Sequence, residues 1–312
     1  METPNRSPRT WWVVLIVVAV MLVFGAGLAL VAYTASPAGG VSVLVRDRVA
    51  ILPLLGVITE NHRVLSELRD YRRDGSVKGY VLLINSPGGE VAPSQSINRE
   101  LSRLREDGYP VVAAIGSVGA SGAYYAALGA DTILAMPGSL VGSIGVLMEF
   151  PNYEQLLDKV GLSYEVIKSA EHKDLGSPYR EVTDEERELL QDVVDDVFGQ
   201  FIQAVVESRN LSRDSVLRVA DGRLLSGRQA VEYGLIDGEG DLVDAITMAG
   251  NMAGLGPEPR TVIREERRGS WIDLMTSLVR GVLGRQSPAS LIGETLLDGS
   301  LRRGPRLLYE WR

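Results

Sequence analysis

Two apolar runs, each closed by a cluster of small turn residues, restrict the fold of this chain more than any other feature. Val77–Asn85 (VKGYVLLIN) ends in Ser86-Pro87-Gly88-Gly89, and Val111–Ile115 leads to Gly119-Ala120-Ser121-Gly122, which reads as a turn. Neither run alternates apolar with polar residues, so each reads as a strand buried on both faces rather than one half in water. Val49–Ile58, Thr132–Ala135, Ser143–Phe150 and Tyr164–Ile167 read as further strands. Helical spacing occupies His62–Arg73, Ser94–Glu106 (Ile97, Leu101 and Leu104 on one face), Ala123–Leu128 and Tyr153–Val160. Thr183 opens a long helix to about Ser208, with Glu186 completing a capping box, and Ser226–Tyr233 and Leu242–Met252 are later helices. Strands alternating with helices imply βαβ crossovers, and so an α/β fold around a largely parallel sheet.

Composition removes several kinds of chemistry. The 312 residues include no Cys and only two His, His62 and His172. A disulfide framework, Cys-ligated zinc, an iron–sulfur cluster, a thiol nucleophile and a His-rich metal site are therefore excluded. Proton transfer near neutral pH falls to those two His, to Lys78, Lys159, Lys168 and Lys173, or to a perturbed carboxyl group. The net charge of −8 is uneven: residues 40–259 hold 20 Lys and Arg against 33 Asp and Glu, whereas 260–312 are net basic. An acidic middle argues against nucleic acid as partner, because phosphate neutralisation needs clustered cations. No G-x-x-x-x-G-K-[ST] phosphate loop occurs.

Trp11–Ala32 carries no charge over 22 residues, about 33 Å of helix at 1.5 Å per residue, close to one hydrocarbon core. Trp11, Trp12 and Tyr33 flank it as interfacial aromatics do. The run exceeds the apolar region of a cleavable signal peptide, so an uncleaved anchor is expected. Arg6 and Arg9 before it place the N-terminus in the cytoplasm and the chain from about Ser36 outside it. The organisation read from sequence is an anchor and linker over 1–39, a folded α/β domain over 40–256 and a basic tail over 257–312. Within the tail, Trp271–Leu283 fits an amphipathic helix on membrane lipid or in a partner's groove.

Three segments could carry chemistry. Asn85-Ser86-Pro87-Gly88-Gly89 follows a buried strand, where ligands of parallel α/β folds gather, and its glycines free backbone N–H groups to hold an oxyanion. Read alone it is equally an ordinary strand-to-helix turn. Gly119-Ala120-Ser121-Gly122-Ala123 sets a Ser among small neighbours at a helix start, which suits an exposed nucleophile or a simple N-cap. Lys168-Ser169-Ala170-Glu171-His172-Lys173-Asp174 offers two Lys and a His as bases, although a lone Lys is usually a solvated charge.

Taken in order, NSPGG, GASGAYY, GSIGV at Gly142–Val146, KSAEHKD followed by GSPYREVTDEER, and SGRQAVEYGLID at Ser226–Asp237 resemble signal peptide peptidases of the SppA type in their short, membrane-anchored form. The resemblance spans about Val49 to Met252. It implies a ClpP/crotonase-like fold, a Ser–Lys dyad, no cofactor or metal, and assembly of identical subunits into a ring or dome. By motif, Ser121 is the nucleophile, Lys173 the general base and Ser143 the residue orienting it, while Gly88 and the N–H of Ser121 form the oxyanion hole. The K-D pair before GSPYR selects Lys173 over Lys168, and His172 is not expected to act. Ala123 stands where the family often has Gly, adding one methyl. The implied activity is hydrolysis of short hydrophobic peptides near the bilayer, such as released signal peptides. The alternatives are a stomatin-associated membrane Ser–Lys peptidase with one membrane-protein target, a crotonase-like acyl-thioester enzyme, and a non-enzymatic scaffold.

Overall fold

The computed structural model describes residues 12, 18–27, 46–60, 63–264 and, for the backbone, 307–310. Its contacts divide the chain into Met1–Arg46 and Asp47–Arg312. In the first unit residues 18–27 are helical with exposed side chains. The rest of the Trp11–Ala32 run lies outside the described residues, as do the Ser36–Gly40 linker, His62 and Trp271–Leu283. Among the described residues no helix is long and apolar enough to cross a membrane.

The second unit is mixed α/β. Its elements run β1 (Arg48–Leu55), α1 (Arg63–Arg72), β2 (Val77–Ser86), β3 (Gly88–Glu90), α2 (Val91–Glu106), β4 (Val111–Ala120), α3 (Gly122–Ala127), β5 (Thr132–Ala135), β6 (Leu140–Gly142), β7 (Leu147–Met148) and α4 (Glu154–Val160). A 3₁₀ turn (Glu171–Asp174) precedes α5 (Asp184–Arg209), α6 (Arg213–Leu217), β8 (Leu224–Ser226), α7 (Gly227–Glu232), β9 (Gly238–Glu239), α8 (Leu242–Met252), β10 (Arg260–Ile263) and β11 (Leu307–Glu310).

The main sheet has the order β10-β1-β2-β4-β5-β9, with every neighbouring pair parallel. Both faces are covered, which is why its strands read as unbroken apolar runs. Leu52, Leu54, Tyr80, Leu82 and Ile84 point into the larger core with α1, α2, α3 and α5. The intervening Val49, Ile51 and Val81 pack with Val112, Leu134 and with Ala245 and Ala249 of α8 on the other face. Alternate residues of one strand thus serve opposite layers.

Several expected boundaries shift, each for a non-local reason. Strand β4 does not stop at Ile115 but continues to Ala120, so Gly119 and Ala120 are strand rather than turn. Its second half lacks apolar bulk and is held by pairing, with Ser86 opposite Gly119 and with Val118, Gly119 and Ala120 opposite Leu140, Val141 and Gly142. The single strand expected over Ser143–Phe150 is instead β6, a break at Ser143 (φ +50°), and the two-residue β7. Gly142 is also left-handed (φ +87°), and the Ser143 N–H donates to Arg223 O at 2.8 Å, turning the chain out of the sheet. Tyr164–Ile167 forms no strand; Tyr164 stacks on Tyr179 with ring centroids 4.1 Å apart, and Ile167 is 96% exposed. Past residue 256, β10 adds to the sheet edge beside β1, from Arg48↔Arg260 to Ile51↔Ile263. The T-x-x-E signal does form its capping box: the Thr183 hydroxyl accepts from the Glu186 N–H, and the Glu186 carboxylate accepts from the Thr183 N–H.

Candidate active site

The carboxyl ends of β2, β4 and β6 lie side by side, and this adjacency gathers three short motifs separated in sequence. Ser86 pairs with Gly119, so the Ser-Pro-Gly-Gly turn sits next to the end of β4. Ala120 pairs with Gly142, so Ser121 and Ser143, each one residue beyond a strand, become neighbours. Ligand sites in open α/β sheets form at this end, where loops rather than the sheet face the opening.

The backbone at both serines is unusual. Ser121 has φ +53° and ψ −117°, and Ser143 has φ +50°. Among the described residues the one further non-glycine residue with positive φ is Asn210, which caps the end of α5 in the left-handed region. Holding an L-residue there costs about 1–3 kcal/mol and persists only where the surroundings impose it. At Ser121 they do. Its N–H donates to Gly142 O at 2.8 Å, its carbonyl accepts from the Tyr125 N–H at 2.8 Å, and all six residues of α3 are buried. Tyr124 donates its hydroxyl to Leu235 O at 2.7 Å, Asn98 donates to Tyr125 O at 2.9 Å, and the Tyr125 and Phe201 rings meet edge-on at 5.1 Å. Burial pushes the Tyr124 phenol up, keeping it a donor. The Ser121 residue is 1% exposed, and its hydroxyl makes no hydrogen bond among the described residues, which leaves the oxygen uncommitted.

Ser121 and Ser143 line one cavity of about 460 Å³. Its apolar wall includes Ile144, Val146 and Leu147 after β6 and Val194 and Phe198 from α5. The lining also includes the carboxylates of Glu149, Asp195 and Asp221, so the cavity is only partly apolar.

The Ser-Pro-Gly-Gly turn is clamped from outside. Gly88 O accepts from the Ile58 N–H at 2.8 Å, and the Glu90 N–H donates to Ile58 O at 2.9 Å. A Cβ on Gly89 would lie 2.2 Å from Ile58 O, so no side chain fits there. The two N–H groups expected as oxyanion donors are both engaged: Gly88 donates to the Ser86 hydroxyl at 3.1 Å, and Ser121 to Gly142 O. The Gly122 N–H opens α3, in the first turn of a helix, where no intrahelical carbonyl accepts it.

Lys173 stands apart from this group. It lies exposed in the 3₁₀ turn and is not among the residues lining the Ser121 cavity. Its ammonium makes no hydrogen bond or ion pair among the described residues, whereas Lys168 donates to Asp174 and to Glu171 O at 2.7 Å each. Asp174 also receives Arg180, which reaches both oxygens of Glu186. Hydrogen bonds from Arg180, then Lys168, hold the Asp174 carboxyl well below the usual range. Arg180, then the Thr183 N–H, lower Glu186 to about 2. The motif GSPYREVTDEER is thereby explained as a tether: its Arg and capping Glu tie the Lys-bearing segment to the start of α5. That role was not visible in the sequence, since the three charges pair across a loop. His172 is exposed, and among the described residues no group of three or more His, Asp and Glu could hold a metal.

A family model described as Peptidase family S49 matches residues 103–256. The chain is 41% identical over 215 residues to a Synechocystis sp. protein named "Putative protease slr0021", covering 68% of this chain and 77% of that one. It is 37% identical over 187 residues to "Putative signal peptide peptidase SppA" of Enterococcus faecium, covering 60% of this chain and 54% of that one. It is 30% identical over 283 residues to "Serine protease SPPA, chloroplastic" of Arabidopsis thaliana, covering 85% and 42% respectively.

Proposed function

Since this chain belongs to peptidase family S49 and is a serine peptidase of the SppA type, we propose that it hydrolyses short hydrophobic peptides through a Ser121–Lys173 dyad. The observation that carries the reading is the uncommitted Ser121 hydroxyl on a strained turn beside Ser143, in a cavity with an apolar wall. Neutral Lys173 takes the Oγ proton as Ser121 Oγ attacks the scissile carbonyl carbon. When the C–N bond breaks, the Lys173 ammonium protonates the leaving amine, and an acyl-Ser121 ester remains. Water then attacks the ester carbonyl, giving one proton to Lys173. The Ser121 Oγ–C bond breaks as that proton returns to Oγ, and the peptide acid departs, losing its remaining proton to solvent as the carboxylate. Ser143 orients the amine. The oxyanion is held at the Ser-Pro-Gly-Gly turn, where Gly88 has only a 3.1 Å bond to a rotatable hydroxyl to give up, and at the Gly122 N–H in place of the committed Ser121 N–H.

The dyad needs assembly. The segment that carries Lys173 exposes Val160, Leu162, Tyr164 and Ile167, an apolar surface suited to a second copy of the chain. In our reading the homo-oligomer covers this arm and brings Lys173 of one subunit to Ser121 of its neighbour. The uncharged run Trp11–Ala32 anchors the chain, with the N-terminus cytoplasmic and the catalytic domain from about residue 40 outside, at the surface where released signal peptides lie.

Complementation tests the reading. Ser121→Ala and Lys173→Ala each abolish peptidase activity when assembled alone. Oligomers formed from the two together regain part of it, since some sites combine an intact Ser121 with an intact Lys173. Activity in either variant alone refutes the dyad, and inactive mixed oligomers refute its formation between subunits.

A further inference from the structure

The cavity at Ser121 changes character from floor to mouth. Ser121 and Ile144 are buried, Phe198 of α5 is half-buried along the wall, and Glu149, Asp195 and Asp221 are exposed at the opening. Among the described residues no Lys or Arg lines the cavity. The carboxylates are not equivalent. Arg223 donates from Nε to Asp221 at 2.7 Å and compensates that charge. Asp195 accepts from the neutral side-chain amide of Gln191 at 2.7 Å, one turn earlier in α5, and makes no ion pair among the described residues. Its negative charge therefore stands uncompensated at the mouth.

An acidic rim is commonly just a solvated surface and by itself identifies no ligand. A second observation in the same cavity does point to one. The Ser121 hydroxyl is buried and has no hydrogen-bond partner among the described residues. A buried hydroxyl left unpaired costs free energy until an incoming group meets it. A side chain entering beside Ser121 has to cross the apolar wall before it reaches the carboxylates. Lys and Arg have that build, an aliphatic stem ending in a cation that stays in water. A Leu side chain would end on the wall, and a Glu side chain would bring like charge to Asp195.

We propose that this cavity is a subsite for a Lys or Arg side chain of the peptide substrate, on the residue whose carbonyl Ser121 attacks, with Asp195 selecting the positive charge. The inference rests on the reading of Ser121 as nucleophile, and it adds to the hydrophobic peptides of that reading a preference for a basic residue at the scissile position. Exposed opposite charges attract modestly, so Arg should exceed its neutral isostere citrulline by about 1.5- to 5-fold in kcat/KM at low salt. At 1 M salt the Debye length falls to about 3 Å, and the ratio should approach one.

The test uses the full chain and fluorogenic Ala-Ala-X coumarin amides, with X as Arg, citrulline, Lys, norleucine or Glu. The wild type should cleave after Arg faster than after citrulline, after Lys faster than after norleucine, and slowest after Glu. Asp195→Asn should bring the Arg-to-citrulline ratio toward one, and Asp195→Lys should push it below one. Both substrates meet the same preparation, so a partly unfolded variant lowers both rates and leaves their ratio intact. Fluorescence anisotropy of labelled Arg and citrulline peptides on Ser121→Ala reads the same preference as affinity, without turnover. A wild-type ratio of one at low salt, or a ratio that neither Asp195 variant alters, overturns the proposal. Hydrolysis by Ser121→Ala overturns the nucleophile instead, and the binding ratio still decides the charge preference.

Discussion

Replacing Ser121 by Gly rather than Ala measures the strain stored at the proposed nucleophile. The backbone there has φ +53° and ψ −117°, a conformation open to Gly and costly for any residue with a Cβ. Ser121→Ala removes the hydroxyl and keeps the strain. Going on from Ala to Gly relieves about 1–3 kcal/mol of strain, loses about 0.8 kcal/mol for one buried methyl and loses about 0.5–1 kcal/mol to unfolded-state entropy. The net change should lie between roughly −0.8 and +1.7 kcal/mol. Ala123, two residues on, is the control: it is fully buried and lies in α3. Ala123→Gly carries the same two penalties with no strain to relieve, a loss of about 1.3–1.8 kcal/mol. The Ala-to-Gly step should therefore cost about 1–3 kcal/mol less at 121 than at 123. Urea unfolding at one fixed protomer concentration reads both steps, with equal m-values confirming that the denatured states match. Equal costs at the two positions, within about 0.5 kcal/mol, would refute the claim that this turn is strained.

Arg180→Met should cut kcat/KM by about 100-fold, because it frees the segment bearing Lys173 and a displacement of about 1 Å suffices for that loss. The unfolding midpoint of the core should move little, and early proteolytic nicking between 161 and 182 distinguishes a freed arm from a destabilised body. The same tether has a defined acid limit. Asp174 and Glu186 both titrate below their unfolded values, Glu186 at about 2, so the stability they contribute is complete above about pH 4.5 and is lost as pH falls toward 2. Nicking of the arm should follow that window, and a midpoint above pH 5 would contradict it. Phe201→Ala should destabilise the chain by about 3–5 kcal/mol in denaturant titrations, since Phe201 is fully buried against Tyr124 and Tyr125 beneath the Ser121 turn. A cost under about 1 kcal/mol would mean that those rings do not hold α3.

Much of this protein follows from residues close together in the chain. Unbroken apolar runs encode strands covered on both faces, and the alternation of Leu52 and Leu82 with Ile51 and Val81 between two cores is the physical form of that signal. The Thr183–Glu186 box spans three residues and requires no partner beyond its own turn. Ser121, Ser143, Gly88 and Lys173 could be named together because the ordered motifs that hold them resemble those of SppA-type peptidases. Decisions made by pairing across long separations were not readable. The second half of β4 carries little apolar signal and is a strand because β2 and β6 flank it. The strain at Ser121 and Ser143 is imposed by Gly142 O and Arg223 O, acceptors that no local pattern announces. Arg180 looks like a surface cation until the fold brings Asp174 and Glu186 to it. The clearest case is β11, four residues seated between β3 and β7. Backbone hydrogen bonds scarcely depend on side-chain identity, so the sequence alone determines which segments can be strands and which residues can react. Tertiary structure decides which edges meet and which N–H groups are already committed.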